Sequence, residues 1–188
     1  MLFRSLPERP AIHAAVEHFE YAPWMVANLT LRSFPKERVD VPLAWDNVIY
    51  NSAALGYVVA THQNLDAHPL RTVLTYYHAL ADSPPPDARR RLLQSDWQNW
   101  VDAVFTDLSA PHPEIRDITE QLDVMRWGHA MIRPRPGFLW GEARTSLTRP
   151  QGRIHFAHSD LSGFSLFEEA QYRGVVAAER VLEEIGKA

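Results

Sequence analysis

The densest run of side chains able to do chemistry lies late in the chain: His155, His158, Ser159 and Asp160, with Glu168 and Glu169 a few residues on. Serine, histidine and aspartate together suggest a hydrolytic relay. As immediate sequence neighbours they cannot easily converge on one substrate atom, and the G-x-S-x-G elbow of a serine hydrolase is absent. His155 and His158 flank Phe156 and Ala157, a spacing that places them on opposite faces of a strand and argues against a shared metal ion. Acids in a first helical turn, such as Glu168 and Glu169, usually serve capping and the helix dipole rather than proton transfer. The chain has no cysteine, which excludes disulfide scaffolds, thiolate metal sites and cysteine nucleophiles.

The arrangement around these residues carries more than their types. Ile154, Phe156 and Ala157 read as a short apolar strand, His158 to Gly163 as the loop beyond its carboxyl end, and the residues after it as a helix. Ligands of α/β sheets bind at that end of a strand. Ser165 followed by Glu168 fits a capping box and sets the expected helix start at Ser165. Phe167, Ala170, Gly174, Ala177, Val181 and Ile185 then recur at three and four residues, a narrow stripe of mostly small side chains suited to close packing on a sheet. The free N–H groups of such a helix start favour an anionic or electron-rich ligand group. On spacing alone, a closing strand and helix packed only for stability is the readier account.

The stretch GRIHFAHSD…EEAQYRGVVAAERVL resembles the C-terminal signature of the flavin-containing amine oxidase and protoporphyrinogen oxidase-like superfamily. Upstream, Arg126-Trp127-Gly128-His129-Ala130-Met131, followed by Pro134 and Gly137, resembles the Trp-x-x-Ala segment that leads into it. The match covers Trp127 to Leu182. It implies a FAD-dependent oxidoreductase that removes a hydride from a small organic substrate. By position Asp160 takes the role of the acid that binds the polar chain of FAD, with Ser159, Gly163, Phe164 and Phe167 around it. Trp127 and His129 would line the substrate side of the flavin. This chain has His158 where the family has glycine, and Leu166 where its aromatic-cage amine oxidases have tyrosine, so the cage has no counterpart here.

The dinucleotide fingerprint G-x-G-x-x-G is missing, since the eight glycines stand at 56, 128, 137, 141, 152, 163, 174 and 186 and none are two apart. The resemblance therefore implies the C-terminal portion of a flavoenzyme, active only with a FAD-binding N-terminal region or a separate polypeptide that supplies it. A non-enzymatic binding or interaction domain derived from the same fold, without cofactor, is the alternative.

The elements that would position these residues begin with a helix over Ala11 to Phe19. Alternation predicts a strand over Trp24 to Phe34, and β-branched and aromatic runs predict strands over Asp46 to Tyr50, Gly56 to His62 and Arg71 to His78. Short links predict an antiparallel meander. After the Pro84-Pro85-Pro86 entry, Leu92, Leu93, Trp97, Trp100, Val101, Val104, Phe105 and Leu108 predict one amphipathic helix over Arg89 to Leu108. Ile115 to Arg126 is expected to become strand in its second half. The expected fold class is α+β: an antiparallel or mixed sheet with packed helices, read as a substrate-binding-type domain over residues 1–145. The closing strand, loop and helix over 146–188 are read as part of a FAD-binding domain.

A formal charge of -4 and a pI near 6.1 argue against a phosphate-binding surface, so no nucleic-acid partner is expected. No apolar stretch approaches the roughly 20 residues of a membrane span. No signal peptide is evident at the start of this sequence, so the chain is expected to stay in the cytoplasm. An exposed face on the closing helix predicts self-association of the isolated chain.

Overall fold

The computed structural model describes residues 10–37, 39, 41–63, 65–66 and 68–186. It divides into two compact units, Ala22–Ala130 and a second made of Met1–Tyr21 with Met131–Ala188.

The first unit is built on a five-stranded sheet in the order β2-β3-β4-β1-β5. The strands are β1 (Tyr21–Leu31), β2 (Asp46–Asn47), β3 (Gly56–Val59), β4 (Thr72–Ala79) and β5 (Thr119–Ile132). The β2–β3 and β3–β4 pairs are antiparallel, as the meander requires, with Asp46 opposite Val58 and Val58 opposite Thr75. β1 then lies antiparallel to β4, with Leu29 opposite Leu74. β1 starts three residues earlier than its alternation suggests and carries Pro23, whose carbonyl accepts the Leu80 N–H. The β2–β3 hairpin needs Gly56 at φ 134, because a Cβ there would stand 1.9 Å from the Asn47 carbonyl oxygen.

One face of this sheet carries the core. Met25, Ala27, Leu29 and Leu31 of β1 alternate inward and are fully buried with Leu74, Tyr76, Leu92, Val104 and Leu108. The amphipathic stretch after the prolines is two helices, not one: α2 (Pro85–Gln94) and α3 (Trp97–Leu108). The Asp96 side chain accepts the Asn99 N–H and caps α3, which breaks the helix and shifts its phase. Leu93 and Trp97, read as part of a single buried stripe, are 59% and 55% exposed: Leu93 lies round α2 from the buried Ala88 and Leu92, and Trp97 is the first residue of α3. A helical turn, α4 (Ile115–Ile118), precedes β5, which is the strand expected in the second half of that segment.

The second unit holds α1 (Pro10–Val16), α5 (Glu142–Leu147), a 3-10 turn over Ser159–Ser162 and α6 (Phe167–Gly186). Its buried apolar cluster is small: Ile12, Ala15, Leu147 and Leu161. Ile154 to Ala157 is not a strand. Its one ladder contact is an isolated bridge between Gln151 and Ile154, since no neighbouring strand pairs with it among the described residues. The Ser165 cap does not form either. Ser165 Oγ accepts the Ile132 N–H at 3.0 Å, and α6 begins at Phe167.

Candidate functional site

The turn after Ala157 gathers the late polar residues. His158 has extended backbone and its Nδ1 accepts the Asp160 N–H at 3.1 Å, which starts the 3-10 turn over Ser159–Ser162. Gly163 ends it at φ 81. A Cβ at Gly163 would stand 2.5 Å from Leu139 Cδ2, so packing as well as backbone conformation demands glycine there. Ser159 and Asp160 are half-buried, Phe164 is 43% exposed and Phe167 78% exposed.

Asp160 is held by a residue far away in sequence. The Tyr21 hydroxyl donates to Asp160 Oδ2 at 2.6 Å, and His158 Nδ1 lies 3.2 Å from the same oxygen. Burial and the neighbouring Asp160 push the Tyr21 hydroxyl well above the usual tyrosine range, so it stays protonated and remains a donor. Nothing in the sequence around Tyr21 signals this contact.

Two arginines fix the turn from below. The buried Arg144 donates from Nε to the Leu139 carbonyl at 2.6 Å and from Nη1 to the Leu161 carbonyl. Burial, and after it the charge of Arg173, lowers the affinity of Arg144 for its proton. Arg173 Nε donates to Ser162 Oγ at 2.8 Å. Neither arginine stood out in the sequence, because their partners are main-chain carbonyls and a serine.

α6 shows the opposite of a packed helix. None of its residues is buried. Arg173, Arg180 and Glu184, spaced at i, i+7 and i+11, share one face and bond Ser162, the Thr148 carbonyl and His155. The apolar stripe lies within about a quarter of a turn of it at about 100° per residue, and its Gly174 and Ala177 are half-buried. Phe167 and Ile185 at its ends are 78% and 67% exposed. At Gly174 an added Cβ would meet nothing within 4 Å.

Trp127 and His129 belong to the other unit, on β5. Gly128 between them faces Arg89 of α2, whose Nε donates to the Gly128 carbonyl at 2.8 Å. By alternation Trp127 and His129 point to the sheet face opposite the one that Gly128 turns to α2. That face also carries the stacked Trp24 and Tyr77 rings, 6.3 Å between centroids, and the Thr75 to Asn28 hydrogen bond of 2.9 Å. Tyr77 donates to Asp46 at 2.5 Å, and burial followed by this bond pushes its hydroxyl up to about 12. His129 is held below its ordinary value by burial and then by Arg89, which favours the neutral imidazole.

No family model matches the chain, and no curated protein matches it. Solved structures do. Cyclohexylamine oxidase from Brevibacterium oxydans superposes with a TM-score of 0.68 at 16% identity, over 96% of this chain and 39% of its own. The chain has the fold of part of an amine oxidase. Two putrescine oxidase variants redesigned in their cofactor binding agree, each with a TM-score of 0.66 at 14% identity over 94% of this chain. The chain spans about 39% of the length of all three amine oxidases. The five-stranded sheet with its helices is thus the sheet of an amine oxidase fold, as the α+β expectation had it. Among the described residues no helix is long and apolar enough to cross a membrane.

Proposed function

We propose that this chain is the substrate-side and C-terminal portion of a FAD-dependent oxidoreductase of the amine oxidase kind, active when joined by a FAD-binding region that it does not itself contain. The observation that carries the reading is α6. A helix of 20 residues with no buried side chain, an apolar stripe that is partly exposed and a glycine whose added Cβ would meet nothing within 4 Å is half of an interface. Mid-helix glycine costs about 1 kcal/mol against alanine, a cost that close approach of another backbone would explain. The residues present fit the flavin's polar chain. Asp160 offers a half-buried carboxylate whose Oδ2 is engaged and whose Oδ1, without a hydrogen bond among the described residues, can accept a ribityl hydroxyl. Ser159 adds a hydroxyl beside it, Gly163 allows close approach, and Phe164 and Phe167 present exposed rings at the start of α6. FAD when bound supplies the hydride acceptor. The chain's own residues bind and orient: Trp127 and His129, with Trp24 and Tyr77, form an aromatic surface on the sheet face turned away from α2 for a small organic substrate.

The domain division implied is a substrate-binding region through residue 145 and a FAD-domain piece over 146–188. The partner is the missing FAD-binding region, in the same polypeptide or a separate one. The test is reconstitution. The chain is mixed with FAD and with a polypeptide bearing a G-x-G-x-x-G dinucleotide-binding turn, and retained flavin is read after gel filtration. Flavin retained with both present supports the reading, and no retained flavin in any combination points to a binding domain without cofactor.

A further inference from the structure

Resting on that flavin reading, we propose that Tyr21 is a positioning residue for the cofactor: it fixes the Asp160 carboxylate so that Oδ1 is presented to the flavin's ribityl hydroxyls. Tyr21 opens β1 and Asp160 sits in the 3-10 turn, 139 residues apart, yet the hydroxyl reaches Oδ2 at 2.6 Å. The Asp160 main chain is anchored independently, through its N–H on His158 Nδ1 at 3.1 Å. With the backbone pinned, the remaining freedom of the carboxylate is rotation about its own side-chain bonds. A hydrogen bond to one oxygen removes that freedom and leaves the other as the acceptor. A tyrosine suits the task because its ring is rigid and its hydroxyl stays protonated through the working pH range, so the same oxygen is engaged throughout. A charged hydrogen bond of this kind is among the stronger ones, and a carboxylate left to rotate pays ordering entropy when a hydroxyl ligand arrives.

The test is a titration with FMN, which carries the ring and ribityl chain, of the full chain mixed with a polypeptide that supplies the FAD-binding region, followed on the amide signals of residues 159–167. Wild type, Tyr21→Phe, Asp160→Ala and the double variant complete a cycle. Tyr21→Phe removes one oxygen and keeps the ring. The expected result is that each single change weakens FMN about tenfold and that the double variant is no weaker than Asp160→Ala alone. Ultraviolet titration of the ligand-free chain should show one tyrosine ionising more readily in Asp160→Ala than in wild type. If Tyr21→Phe keeps wild-type affinity while Asp160→Ala loses it, the role of Tyr21 is refuted and the flavin reading stands. If Tyr21→Phe costs as much in the Asp160→Ala background as in wild type, its effect is general packing and the proposal fails. If wild type and Asp160→Ala respond alike, or neither responds, the flavin reading falls and this inference falls with it.

Discussion

The two units differ in how completely they satisfy their own apolar surface. Ala22–Ala130 closes its core: one sheet face meets α2 and α3, and Leu29, Leu74, Leu92, Val104 and Leu108 have no exposed surface. Among the described residues the other unit's cluster buries Ile12, Ala15, Leu147 and Leu161, with Ile132 and Phe138 buried outside it, while α6 is held through polar side chains and its apolar stripe is partly exposed. Burial contributes roughly 25 cal/mol for each Å² of apolar surface, so a sequence that spends apolar residues on an open stripe is shaped for something that covers it. The first unit closes its own core, and the second leaves part of the α6 stripe exposed, the feature on which the proposed docking rests.

Substitutions can break or sharpen this contrast. Leu29→Ala in the closed core should destabilise the chain by about 2 to 5 kcal/mol in denaturant unfolding, the usual cost of a buried leucine cavity. A loss well under that range would mean that the core is looser than its burial indicates. Arg144→Leu in the open unit should cost about 1 to 3 kcal/mol, because the buried carbonyls of Leu139 and Leu161 lose their donor. Hydrogen exchange should show the loss concentrated around the Ser159–Ser162 turn.

A smaller effect comes from pH. His78 of β4 is held below its ordinary 6.5, by burial first and then by Arg91. The folded chain keeps this imidazole neutral while the unfolded chain protonates it. Unfolded chains therefore bind the extra proton, and stability should fall as pH drops below about 6.5. The difference between urea midpoints at about pH 7.5 and about pH 5.5 should shrink in His78→Gln. The smallest effect on stability belongs to the open stripe. Val181→Ser with Ile185→Ser should change unfolding of the chain by no more than about 0.5 kcal/mol. The same pair should abolish the self-association we expect of the isolated chain in light scattering, and a wild-type chain that stays monomeric at high concentration would contradict that expectation.

Much of the closed unit could be read from the sequence, because its elements meet their own partners. The alternation of Met25, Ala27, Leu29 and Leu31 announces a strand with one buried face, and the runs around Val58 and Tyr76 announce its neighbours. What escaped there was a local competition: Asp96 offers a cap in the middle of an amphipathic pattern, and the cap wins. In the open unit the pattern misled. Ile154, Phe156 and Ala157 have the composition of a strand, but strand structure needs a partner ladder, and the described residues give only the Gln151 bridge. Ser165 has the spacing of a cap, yet its hydroxyl is taken by the Ile132 N–H. The resemblance drew attention to the turn around Asp160. It could not reveal Tyr21 or Arg144, whose roles exist only once distant segments meet.

The measurement that tests the central claim most directly is the visible absorbance of the purified chain after incubation with FAD and a polypeptide that supplies the FAD-binding region, for wild type and for Val181→Asp in the stripe of α6. The expected result is a protein-bound flavin band with wild type and its loss with Val181→Asp, because a charge would then face the docking partner. A flavin band that survives Val181→Asp unchanged, or no band with wild type, would contradict the reading of α6 as the docking half of a flavoenzyme.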